Sequence, residues 1–103
     1  MHLETDKDGY LKHLSDWSPA AAEWLAQSVD VRLGVEHWEV INALRVFYAD
    51  TGVSPAVRIL VKIVKQKVSP EKGNSIHLLT LFPGSPATLA AKIAGLPRPT
   101  NCL

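Results

Sequence analysis

The only thiol among the 103 residues is that of Cys102, which stands behind Pro97 and Pro99 and ahead of Leu103. A cysteine acts as its thiolate, which is both the nucleophile and the metal ligand. One cysteine cannot close an internal disulfide, and that suits a reducing compartment. The nearby charges pull in opposite directions. Arg98 and Lys92 favour a thiolate, whereas a terminal carboxylate on Leu103 disfavours a second negative charge. A strongly activated resting thiol is therefore not expected. A carrier does not need one, because its cysteine can take on or pass a sulfur inside a partner's active site.

Four histidines, His2, His13, His37 and His77, are available for a Cys–His pair. No local signature supports one. His37 sits beside Trp38 at a helix start and His77 falls in a short helix, so both read as packing or surface residues. One cysteine and four scattered histidines also lack metal-ligand spacing, and neither a metal nor an organic cofactor is expected. A second constellation is basic. Arg58, Lys62 and Lys65, spaced four and then three apart, form a stripe on a helix whose opposite face is apolar. With the preceding helix this makes a helix-turn-helix-like pair, the geometry of a DNA-binding regulator. Side chains typical of base readout and a strong net charge are both missing. A solvated stripe, or loose phosphate contact with a tRNA held by a partner, fits better.

The elements that must position these groups are helices. Hydrophobic residues make up 47% and charged residues 20%, the balance of one globular domain spanning 1–103. No apolar run approaches the length needed to cross a bilayer, and the first residues have no secretory pattern, so a cytoplasmic protein without membrane contact is expected. The net charge of +1 hides a polarity: residues 1–50 carry nine acids against four Lys/Arg, and residues 51–103 carry one acid against seven. Such a chain can show a basic face to an acidic partner or neutralise itself internally.

Ser-Pro occurs four times, at Ser18, Ser54, Ser69 and Ser85. Serine as N-cap with proline at the first helical position predicts helices over about 19–28, 55–67 and 86–94. Ser69-Pro70 reads as the exit of the 55–67 helix. Apolar periodicity adds a helix over 36–50, stopped by Gly52, and a shorter one near 74–82. At the start, Leu3 to Lys12 alternates apolar and polar residues about Asp8-Gly9, predicting a β-hairpin within residues 1–14. The expected fold is thus mainly α (α+β): an orthogonal helical bundle over 15–94 containing the helix-turn-helix-like pair, a short N-terminal β-hairpin, and an extended C-terminal arm. The arm, 95–103, starts at Gly95, and its two prolines forbid a helix. Chain ends are mobile unless tied down. From Gly95 it reaches Cys102 over roughly 20 Å.

Five stretches resemble the DsrC/TusE family of sulfur-trafficking proteins: His37-Trp38-Glu39-Val40-Ile41, Ser54 to Lys62, Glu71-Lys72-Gly73-Asn74-Ser75, Leu81-Phe82-Pro83-Gly84 and Lys92 to Pro99. Asp8 to Leu11 and Asp16-Trp17 fit as well, so the resemblance covers nearly the whole chain in order. It implies a sulfurtransferase in which Cys102 carries persulfide sulfur. Members of the dissimilatory branch have a second cysteine eleven residues earlier, where this chain has Ala91. The single-cysteine, TusE-like branch is therefore the nearer match. For that branch the resemblance implies tRNA wobble-uridine 2-thiolation, with sulfur arriving from a TusBCD-type donor complex and leaving to an MnmA-type thiouridylase that holds the tRNA. A DsrC-like partner of sulfite reductase or sulfur oxidation is the alternative. Arg58, Lys62, Lys92 and Arg98 match basic positions of the family, and are expected to hold the persulfide anion or receive the arm. The chain departs from the family in a shorter N-terminal strand and in Ile76-His77-Leu78-Leu79, which lacks the tyrosines common there.

Overall fold

A computed structural model describes residues 2–99, so Cys102 and the last part of the arm lie outside the described residues. Five α-helices follow one another: α1 (Pro19–Ser28), α2 (Val35–Thr51), α3 (Val57–Lys67), α4 (Ser75–Leu81) and α5 (Pro86–Ile93). A single 3-10 turn, Leu14–Asp16, leads into α1.

The Ser-Pro signals were read correctly in part. Ser18 accepts the Ala21 N–H at 3.1 Å while Pro19 takes the first helical position, which is the cap the sequence predicts. Ser69-Pro70 follows the exit of α3, again as expected. Pro86 opens α5, although the Ser85 side chain makes no capping bond. Ser54-Pro55 is different. Its helix begins two residues late, at Val57, because the Ser54 hydroxyl is buried and bonded elsewhere. Gly52 ends α2 in the left-handed conformation at φ 75°, its N–H donating to the Tyr48 carbonyl at 2.7 Å.

The predicted N-terminal β-hairpin does not form, and no sheet is present among the described residues. Thr5 and Leu11 make one isolated antiparallel bridge. The Asp6 carboxylate explains why the pairing goes no further. It accepts the N–H groups of Asp8 and Tyr10 and so folds the intervening residues into a tight side-chain-stapled turn. A two-stranded ribbon is marginal in water without a face to bury. Here Tyr10 and Leu11 pack inward as single anchors instead.

Helix α5 sits at the centre and touches each of the other four helices. Its alanines make this possible, since Ala87, Ala90 and Ala91 are all buried and let neighbouring backbones approach closely. Around it the core is filled by Leu25, Ile41, Leu44, Leu60, Leu78, Phe82 and Ile93, every one essentially inaccessible. The last turn of α5 therefore leaves the middle of the bundle, and the arm starts from there.

Candidate functional site

The root of the arm is held by contacts from distant parts of the chain. Gly95 closes α5 at φ 73°. The Leu96 N–H donates back to the Ala91 carbonyl at 2.9 Å and the Gly95 N–H to Lys92 at 3.1 Å, a left-handed helix stop. Glycine is required here twice over: by its backbone angle, and because a Cβ would stand 2.2 Å from the Trp17 ring. That indole donates its Nε1–H to the Ile93 carbonyl at 2.9 Å. The Arg45 guanidinium stacks 3.7 Å from the centre of the Trp17 ring and donates to the Ala94 carbonyl at 2.6 Å. Two carbonyls that end α5 are thereby satisfied by side chains far away in sequence.

Beyond Gly95 the arm stays attached. Leu96 is buried in the core. The Ser54 hydroxyl, 1% exposed, donates to the Pro97 carbonyl at 2.6 Å. The Arg98 guanidinium meets Asp8 at 2.8 Å and Asp6 at 3.2 Å and lies 4.8 Å from the Tyr10 ring centre. These contacts move its pKa upward, chiefly through the hydrogen bond to Asp8. For Asp6, burial would raise the pKa. The N–H groups of Tyr10 and Asp8, together with Arg98, outweigh that and hold the carboxyl below its ordinary 3.8. Pro99 forms one wall of a cleft of about 220 Å³ shared with Ala56 and Val57 at the start of α3 and with Gly84 to Thr88 ahead of and within α5. Cys102 follows three residues later.

The four cations predicted from the sequence separate into two pairs. Lys92 and Arg98 come together on Tyr10, the Lys92 ammonium lying 5.2 Å from its ring centre. Arg58 and Lys62 stand exposed on α3, and neither forms an ion pair with another described residue. His37 is committed to structure: the Gly34 N–H donates to its Nδ1 at 3.1 Å, which leaves its Nε2–H to donate to the Leu81 carbonyl at 2.9 Å. Ala91, the position of the second cysteine in the dissimilatory branch, is sealed inside the bundle at 1% exposure.

Sequence reading missed Trp17, Arg45, Ser54 and the Asp6–Tyr10 turn as holders of the arm. Their contacts span 43 to 92 residues, so no local pattern could reveal them. The one available signal was Ser54-Pro55, and it was read as a helix cap.

Comparison with known proteins agrees with this geometry. The family model described as "DsrC like protein" matches residues 1–103. Sulfurtransferase TusE of Photorhabdus laumondii is 52% identical over 103 residues, covering 100% of this chain and 93% of that protein. Among solved structures, DsrC of Allochromatium vinosum superposes with a TM-score of 0.89 at 46% identity, covering 98% of this chain and 90% of that one. The oxidized DsrC, the gamma-subunit of dissimilatory sulfite reductase, from Archaeoglobus fulgidus gives 0.85 at 40% identity, covering 98% and 92%.

Proposed function

The chain belongs to the DsrC-like family, and from that premise we propose that Cys102 is the atom-bearing residue of its sulfur relay. The protein is a sulfurtransferase acting in sulfur relay, as the TusE relatives matched over its whole length support. The observation that carries the reading is the arm: its root is pinned through Arg98, and the chain's only thiol follows four residues later.

The chemistry is two thiol–persulfide exchanges. In the first, the Cys102 thiolate attacks the outer sulfur of a donor cysteine persulfide. The donor's S–S bond breaks, its thiolate leaves, and Cys102 holds the sulfane sulfur. In the second, an acceptor thiolate attacks the outer sulfur on Cys102, whose thiolate is regenerated. No electrons are gained or lost overall, so neither a metal nor an organic cofactor is needed. A persulfide is more acidic than a thiol, so the loaded arm is an anion that nearby cations stabilise. Lys92 is suited to this role because no described acid pairs with it. The charge of Arg98 is matched by Asp6 and Asp8, and this side chain serves as the anchor of the arm. Arg58 and Lys62 remain available to receive the arm or a partner.

The partners of this relay are a TusBCD-type donor complex and an MnmA-type thiouridylase, with tRNA met only through the latter, in the cytoplasm. Among the described residues no helix is long and apolar enough to cross a membrane. Intact-protein mass spectrometry tests the assignment after incubation with a cysteine desulfurase, free cysteine and the donor complex. Cys102 gains one reducible sulfur and Cys102→Ser gains none. A serine variant that still loads would overturn the assignment.

A further inference from the structure

Two depressions on the surface between α2 and α3, about 340 and 240 Å³, share Ala43, Val46 and Lys67 and so form one trough. It runs from Glu39 and Val68 at one end to Asp50 and Ile59 at the other. Along α2 that is roughly 16 Å, or about three helical turns. Its floor is apolar and open to water: Val46 is 57% exposed and Ile59 39%. Scattered exposed apolar residues need no explanation, but here they lie together in a concave strip between two helices.

The rim supplies the second observation. Helix α3 contains Arg58, Lys62, Lys65 and Lys67 and no acid, and none of the four forms an ion pair with a described residue. Lys62 and Lys67 line the trough itself. By contrast, Lys72 beside α2 is satisfied by Glu39 at 2.8 Å and Glu36 at 3.6 Å. An apolar strip edged by unmatched cations complements an amphipathic helix whose apolar stripe is flanked by carboxylates. A phosphate backbone would match the rim but leave the floor uncovered, so the floor favours protein over nucleic acid. The position is apt as well. Val57 lines the cleft that Pro99 walls, and Ile59, two residues on, lies at the end of the trough.

We propose that the α2–α3 trough is the docking surface for the sulfur-donor protein of the relay, and that it receives an acidic amphipathic helix of that protein. The proposal rests on the relay reading of the chain. A donor seated there brings its persulfide to the point where the arm leaves the body. Recognition then resides on a surface separate from the reacting sulfur.

The test uses the full chain with a persulfide-loaded TusBCD-type complex and follows loading of Cys102 by intact mass against donor concentration. Val46→Glu and, separately, Lys67→Glu raise the half-saturating donor concentration about tenfold, the equivalent of about 1.4 kcal/mol of binding. The maximal loading rate and the alkylation rate of Cys102 by iodoacetamide stay unchanged. Both positions are exposed, so melting temperatures report that the fold persists. Unchanged half-saturation in both variants overturns the proposal. So does a loss confined to the maximal rate, which would place the effect on the arm. A Lys67→Glu variant with normal donor loading but weakened binding to bulk tRNA would assign the surface to nucleic acid and overturn it as well. A wild-type chain that acquires no sulfur overturns the relay reading itself, an outcome distinct from the others.

Discussion

The root of the arm and the outer face of α3 both carry cations, but they use them in opposite ways. At the root every positive group is engaged: Arg45 against the Trp17 ring and the Ala94 carbonyl, Arg98 between two aspartates, Lys92 near Tyr10. On α3, Arg58, Lys62, Lys65 and Lys67 meet no described acid. The difference teaches where the molecule has spent its interactions. Cations satisfied internally organise the chain, and cations left in solvent are available to something else. Changes at the root are therefore expected to register in stability, and changes on the face in transfer alone.

The largest effect is expected from Gly95→Ala. A methyl group there meets Trp17 and forces a non-glycine residue to φ 73°, which costs about 3 kcal/mol. Thermal unfolding should move down by roughly 15 °C. A stable variant would mean that the clasp around Trp17 does not constrain the arm. Next in size is Ser54→Ala. It leaves the Pro97 carbonyl without its donor and costs about 1 kcal/mol, readable as a lower urea midpoint with unchanged slope. Should it match wild type, the root would extend no further than Leu96.

A pH titration sharpens the same comparison. The folded-state pKa of Asp6 is depressed, so its contribution to stability is fully present above about 3.8 and disappears as pH falls through the lower folded value. Wild type should lose stability below pH 3.8 faster than Asp6→Asn, measured as melting temperature against pH. Parallel curves would show that the Arg98 pair contributes nothing to the fold. Smallest in stability is Arg58→Ala with Lys62→Ala, expected to stay within about 0.5 kcal/mol of wild type. Delivery of sulfur should slow nonetheless, in single-turnover transfer followed by intact mass. A large stability loss here would erase the contrast between the two regions.

Much of the helical scaffold was legible because its signals are local. Ser18-Pro19 caps α1, Gly52 stops α2, and apolar spacing placed the remaining helices to within one or two residues. The failures come from side chains that found a different partner than the local one. Alternation over Leu3 to Lys12 predicted paired strands, but the Asp6 carboxylate took the N–H groups that would have extended the ladder. Ser54 had a helix start within reach and instead reaches the Pro97 carbonyl. Of the site, Cys102 was conspicuous as the only thiol, and it lies outside the described residues. Arg98 and Lys92 were legible by type but not by neighbour. Trp17 and Arg45 could not be connected to the arm, because 76 and 49 residues separate them from their acceptors.

The clasp also bears on how the protein is made. Its contacts join residues near both ends of the chain, such as Asp6 to Arg98, and they place Ile93, Ala94 and Leu96 in the core. Contacts of such long sequence separation form late in folding, after the loop between them has closed. During synthesis the bundle stays incomplete until the root of the arm has emerged from the ribosome. A chain cut short before Leu96 would lack part of its interior and be a ready substrate for proteases. Folding thus acts as an inspection: the body persists only if synthesis has reached the segment that leads to the working sulfur.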